Sequence, residues 1–420
     1  ALPLAEPVDG RGRRGERGSG VPGVEQGVAV VRREADGGGG GGELRHDAQP
    51  TEAPAVVRLP GVTATPELDL AADPADLLQA LIDVPSESLQ EQVLADAVER
   101  AVSAYPHLDV VRDGHTIIAR TTLGRAERIV IGGHLDTVPE NANMPSRRVT
   151  VDGEDRVYGL GACDMKGGVA VALRLAAALT APTRDVTWIW YEAEEIDSQY
   201  NGLRRLADER PELLAADFAV LMEPSNAVVE AGCQGTMRVD VRTSGVRSHS
   251  ARSWMGDNAI HRAGEVLRRL EAYDARQVEI DGLVYREGLN AVGIRGGVAG
   301  NVIPDECVVA VNYRFAPSRT KEEGEAFLRE FFDGYDVTVV DAVDGALPGL
   351  AHPAAQDFVA AVGGTPSPKF GWTDVARFTS LGVPAVNYGT GNPSLAHHRD
   401  EYVPVSDLVA VEAGLRSWLA

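Results

Sequence analysis

Three cysteines in 420 residues, at positions 163, 233 and 307, cannot build a disulfide framework, and none lies in a Cys-x-x-Cys pair. A reducing, cytoplasmic compartment is the expectation. Basic residues are also in deficit: 40 Lys and Arg against 62 Asp and Glu leave a formal charge of −22. That balance opposes contact with phosphate backbones and anionic bilayers, so neither nucleic acid nor membrane is expected as a partner. Long apolar runs are missing as well. One of the longest, 169–179, is interrupted by Arg174 and falls short of the ~20 residues a membrane span needs. The first thirty residues lack an apolar stretch followed by a small-residue cleavage site, which predicts no secretion signal. What remains, 44% hydrophobic and 24% charged, is the composition of a globular chain, and its length predicts two domains.

Residues 1–65 differ from the rest. They hold 14 of the 46 glycines, six of them in a row from Gly37 to Gly42, and no sustained apolar period. Such a segment cannot bury enough surface to offset its ordering entropy, and it is expected to be a disordered Gly/Arg-rich extension. Beyond it, Leu77, Leu78, Leu81 and Ile82 recur at helical spacing, as do Val93, Ala97, Val98 and Val102. Short β-branched or apolar runs at 116–120, 128–131, 186–191 and 218–221 then alternate with helical stretches. The alternation predicts an α/β class with a central sheet flanked by helices. From about 236 to 344 the pattern becomes that of a smaller α+β unit with a half-exposed sheet, and the α/β style resumes from 345 to 420. The main domain is therefore expected to be discontinuous, as 66–235 and 345–420.

Chemistry-bearing residues gather at the ends of predicted strands, where an open α/β sheet places its ligands. In GGHLDT, His134 and Asp136 lie two apart and project to one side. A carboxylate beside an imidazole fixes its tautomer, which a metal-bound histidine requires. In GLGACDMKGG, Asp164 sits on a glycine-rich loop just before a helix; no glycine triplet opens that helix, which argues against a dinucleotide fingerprint. Lys166 is either a solvated charge or an orienting group. In YEAEEID, the adjacent Glu194 and Glu195 point to opposite sides, one off a metal and one on it. Glu223 stands at a turn before Pro224, and the pair His397-His398 lies near the end of the sequence. Each motif alone is an ordinary strand end or surface turn. Five together are not.

These stretches, with LMEPSN, SHSARSWMGDNAIH, GGVAGNVIPDE, NYRFAP, FGWTDVARF and GTGNPSLAHHRDE, resemble the zinc-dependent aminoacylase and carboxypeptidase family of metallohydrolases over about residues 68–420. The resemblance is closer still to the members that remove succinate from diaminopimelate. It implies two zinc ions, with Co²⁺ as a possible substitute: His134 and Glu223 on one, Glu195 and His397 on the other, and Asp164 bridging them. His398 does not fit the family's frame. Glu194 is implied as general base, Asp136 as the support of His134, and His249 as a donor to the oxyanion across a homodimer interface. Asn301, Arg314, Arg252 and Thr373 are implied as substrate-binding residues, and 236–344 as a lid and dimerisation domain. The implied substrate is a small succinylated amino acid, N-succinyl-LL-2,6-diaminopimelate; N-acyl amino acids and peptides are the alternatives. A binding protein without catalysis would be expected to have lost one of these positions. The chain departs from the pattern at Ala193, where many relatives carry aspartate, and its extra carboxylate stands at Glu192 instead.

Overall fold

The computed structural model describes residues 66–420; the expected disorder of 1–65 lies outside them. The core is an eight-stranded sheet in the order Asp109–Asp113, Thr116–Arg120, Asp185–Tyr191, Arg128–His134, Phe218–Leu221, Ala385–Asn387, Glu230–Ala231 and Ser367–Pro368. Four central strands run parallel: Arg128–His134 pairs with both Asp185–Tyr191 and Phe218–Leu221, and Ala385–Asn387 follows on the far side. Parallel strands buried on both faces need near-continuous apolar runs, as found here.

The two-residue period divides those strands between two cores. Ile129, Ile131, Val186, Trp188, Trp190, Phe218 and Val220 face one side, where the helices Pro74–Ile82, Gln92–Ser103, Gly167–Ala178, Pro353–Val362 and Val405–Leu419 pack. Val130, Ile189, Tyr191, Ala219 and Leu221 face the other, covered by Gly202–Glu209 and Val375–Ser380. The architecture is therefore the α/β sandwich that the alternating pattern predicts.

Residues 235–343 build a second, antiparallel sheet in the order Gly288–Gly296, Glu306–Phe315, Gly235–Ser244 and Asp336–Val343. Its strand Gly235–Ser244 alternates buried with less buried positions, and the helices Ala259–Glu271 and Lys321–Phe331 pack with the sheet's inner face in a separate apolar cluster. The chain leaves the main sheet and returns to it side by side: Cys233 and Ala346 exchange both backbone hydrogen bonds at 3.0 Å. A three-stranded sheet of Arg147–Val151, Glu154–Tyr158 and Tyr402–Pro404 is an addition to the sequence reading; its polar, mostly half-exposed residues carry little periodic signal.

The helix Gly167–Ala178 begins directly under the end of the Phe218–Leu221 strand. A Cβ at Gly168 would stand 2.3 Å from the Met222 carbonyl oxygen. Only glycine permits that approach, which brings the Asp164 loop and Glu223 together. Gly168→Ala is expected to destabilise the protein by about 1–3 kcal/mol, read as a lower midpoint in denaturant unfolding; an unchanged midpoint would show that the helix can withdraw freely.

Candidate metal centre

All five separated ligand candidates converge at the C-terminal ends of the parallel strands. His134 closes its strand opposite Tyr191, and Glu223 follows the Phe218–Leu221 strand by two residues. One oxygen or nitrogen from each of His134, Asp164 and Glu223 lies within 4.8 Å of the others, and the same holds for Asp164, Glu195 and His397. Asp164 belongs to both groups. His134 Nε2 is 3.2 Å from Asp164 Oδ1, while His397 Nε2 is 3.0 Å from Glu195 Oε1 and 3.7 Å from Asp164 Oδ2. His397 adopts a positive φ of 65° and, unlike His398, joins the cluster.

Asp136 organises the inner side. It is fully buried, and its oxygens accept the backbone N–H of Glu194 at 3.0 Å, that of Glu195 at 3.1 Å and the Ser88 hydroxyl at 2.7 Å. His134 Nδ1 lies 3.5 Å from the Asp136 carboxylate and 3.0 Å from its backbone oxygen, which leaves Nε2 directed at Asp164. Burial opposes charge on Asp136, yet the contact with His134 and these hydrogen bonds hold its pKa below the usual range.

Against burial, His134 and His397 hold the Asp164 carboxyl below its usual range, whereas the glutamates lack enough positive charge nearby. Burial, with the charge of Glu223, pushes Glu194 well above the ordinary range. Burial and Asp164 raise Glu223 to about 8, and one of its oxygens, Oε1, is buried without a hydrogen-bond partner among the described residues. The hydrogen bond to Glu195 raises His397 to about 9. Burial disfavours a charged His134, but Asp136 and Asp164 overcome that and raise its pKa. Imidazoles and carboxylates in two groups of three, with an orphaned buried oxygen, suit two divalent cations.

Two supports escape the sequence reading or were left open by it. Glu401, nearly fully buried, accepts the N–H groups of Gly161, Cys163 and Asp164 at 3.2, 2.8 and 3.1 Å and so fixes the Asp164 loop. It ends the GTGNPSLAHHRDE stretch that carries His397, but residue type alone assigned it no task. Lys166 is an orienting group: it is buried and donates to the carbonyls of Leu81 and Val84, both at 3.0 Å, with burial lowering its pKa to about 7. The Ala193 departure leaves the cluster intact because Glu192 turns away, bonding the Thr116 hydroxyl and Arg205 at 2.7 Å.

The substrate candidates occupy other places. His249 and Arg252 are exposed in the second unit, and Asn301 joins them through its carbonyl, which accepts the Ser250 N–H at 2.9 Å. Arg314 lies on Glu306–Phe315 opposite Thr236; it is half-buried, and its guanidinium has no hydrogen bond or ion pair among the described residues. Burial lowers its pKa. Thr373 is buried, and its hydroxyl donates to Asn387 Oδ1 at 2.9 Å, so it faces the main core.

A fold with ligand candidates at the ends of a parallel sheet and a second unit inserted beside it defines a metal-dependent hydrolase class. The model described as "Peptidase family M20/M25/M40" matches residues 130–419, and the chain belongs to this family. A Mycobacterium tuberculosis protein provisionally named as a succinyl-diaminopimelate desuccinylase is 54% identical over 355 residues, 84% of this chain and 99% of that protein. The succinyl-diaminopimelate desuccinylase of Corynebacterium glutamicum is 46% identical over 367 residues, 84% of this chain and 98% of that protein. Among solved structures, a Staphylococcus aureus tripeptidase shares the fold with a TM-score of 0.69 at 19% identity, covering 83% of this chain and 97% of its own.

The raised pKa values carry a sign. A folded chain that keeps protons on Glu194 and Glu223 binds more of them than the unfolded chain above about pH 4.3, so its stability falls as pH rises. His134 and His397, also raised, contribute stability that is lost as pH passes above about 6.5, in the same direction. Thermal melts of chelator-treated protein should therefore show a midpoint that declines from about pH 5 to 7, and saturating zinc should raise it and flatten the trend. A midpoint that climbs with pH in chelator would contradict this electrostatic reading.

Proposed function

We propose that this chain is a two-metal amidohydrolase that cleaves N-succinyl-LL-2,6-diaminopimelate to succinate and LL-2,6-diaminopimelate. The observation that carries the chemistry is the sharing of Asp164 between two ligand groups, with Glu194 next to a ligand candidate and free of hydrogen bonds at its own carboxylate among the described residues. The substrate reading is supported by the similarity, over nearly their whole length, to proteins named as desuccinylases.

In this reading His134 and Glu223 would hold one ion, Glu195 and His397 the other, with Asp164 available to both. Zinc suits the donors, with cobalt as substitute. Bound ions would supply Lewis acidity, lowering the pKa of a water toward about 7 and polarising the amide carbonyl. Glu194 takes a proton from the attacking water as its oxygen adds to the succinyl carbonyl. Asp136 holds that glutamate in place through its backbone N–H and keeps His134 in one tautomer. His249 donates a hydrogen bond to the developing oxyanion. When the C–N bond breaks, Glu194 returns the proton to the departing amine, and succinate leaves as the other product.

Arg314 binds a substrate carboxylate. A half-buried guanidinium without a protein partner is costly unless a ligand completes it, and its planar fork fits a carboxylate. Arg252 and Asn301 contribute from the same unit, and Thr373 acts from the opposite wall by shaping it through Asn387. The unit 236–344 serves as lid and dimerisation domain, hinged where Cys233 pairs with Ala346. Dimerisation is supported by the strand Gly288–Gly296, whose outer edge is unpaired among the described residues and which exposes Val292 and Ile294 beside Ile260 and Leu267 on the neighbouring helix; such an edge invites a second copy. A cytoplasmic location accords with three free, buried cysteines.

Glu194→Ala is expected to keep both ions, measured by elemental analysis, while kcat falls by about 10²–10⁴. Near-normal turnover would remove Glu194 from the mechanism. A panel of succinylated diaminopimelate, acetylornithine and dipeptides should give the highest kcat/KM for the first; preference for either of the others would overturn the substrate assignment. Ile294→Arg should shift the enzyme toward monomer in sedimentation, and an unaltered dimer would place the interface elsewhere.

A further inference from the structure

Glu91 lies outside every motif discussed so far and is fully buried. It occupies the N-cap of the helix Gln92–Ser103, yet its side chain makes no bond to that helix's own N–H groups. Its Oε1 instead accepts the N–H of Leu89 at 2.9 Å and, across the molecule, the N–H of Ala193 at 3.1 Å. Both donors are non-glycine residues with left-handed backbones, Leu89 at φ 71° and Ala193 at φ 58°. L-residues adopt that region only where neighbours impose it, because Cβ crowds the following carbonyl.

Each turn leads to the proposed reaction centre. Ala193 directly precedes Glu194, and the reversal there aims the next two N–H groups at the two oxygens of Asp136. Three consecutive N–H groups, 193 to 195, are thus held by two buried carboxylates from distant parts of the chain. Leu89 directly follows Ser88, whose hydroxyl donates to Asp136. One oxygen of Glu91 therefore ties the segment that supports Asp136 to the turn that carries Glu194.

We propose that Glu91 is a positioning residue for the reaction, its carboxylate fixing the left-handed turn at Ala193 and with it the direction in which Glu194 meets the metal centre. The inference rests on the reading of Glu194 as general base. A residue serving packing alone would be apolar here. Glu91 instead leaves Oε2 buried without a partner among the described residues, and burial, with a contribution from Asp136, raises its carboxyl pKa to about 7.

The test compares metal-loaded enzyme with Glu91→Ala, Glu91→Gln and the double variant Glu91→Ala/Ala193→Gly, measuring kcat, KM, bound metal and the melting midpoint of the metal-free protein. Glu91→Ala should lower kcat by about 10- to 100-fold with KM changed less than about threefold and both ions retained. Glutamine keeps an acceptor oxygen and should recover most of that loss. Glycine at 193 takes a positive φ without crowding, so the double variant should turn over faster than Glu91→Ala although its metal-free form melts no higher. Full kcat in Glu91→Ala overturns the proposal, as does a lowered kcat that neither glutamine nor glycine improves. Should Glu91→Ala fail to fold, Glu91→Asp, which withdraws the acceptor by one methylene, is read the same way: reduced kcat at unchanged metal content supports the role, and unchanged kcat overturns it. Glu194→Ala separates the two readings, because its collapse alongside a fully active Glu91→Ala would undo this inference alone.

Discussion

The structure is organised around negative charge that it cannot neutralise by itself. Asp164, Glu194, Glu195 and Glu223 meet at the ends of buried parallel strands, where desolvation disfavours every one of their charged forms. His134, His397 and the more distant Lys369 are the cations that act on them. The main sheet, the close approach at Gly168 and the backbone clamps of Asp136 and Glu401 hold these groups together against their mutual repulsion. Such an arrangement makes physical sense for a centre completed by divalent ions.

The supporting layer is built chiefly from carboxylates that accept backbone N–H groups. Asp136 takes two, Glu401 three and Glu91 two. An ionised or hydrogen-bonded acid that grips the main chain sets the direction of a whole peptide segment, whereas a contact to a side-chain tip leaves its rotamers free. Glu194 and Glu195 are neighbours in sequence with different proposed tasks, and their separation depends on such control.

Much of this was legible in the sequence. The apolar runs at 128–131, 186–191 and 218–221 marked the parallel strands, and ligand-type residues at their ends marked the centre, because strand direction in an α/β sheet decides where side chains collect. The antiparallel unit was legible from the change in period after Gly235. Glu91 and Glu401 were harder to read, since hydrogen bonds to backbone leave no pattern in residue type and their partners lie far away in the chain. The sheet containing Arg147–Val151 was hidden for another reason: its polar, half-exposed strands look like loops until Tyr402–Pro404 is laid beside them. Glu192 shows the limit of motif reading, because only the fold reveals that it faces Arg205.

Because Asp164 takes part in both groups of three, neither half of the centre can be altered alone. In the proposed two-metal reading, a cation on one Asp164 oxygen would withdraw electron density from its twin and restrain the rotation of the side chain, so the affinity at the second position would depend on whether the first is filled, and the coupling would run in both directions.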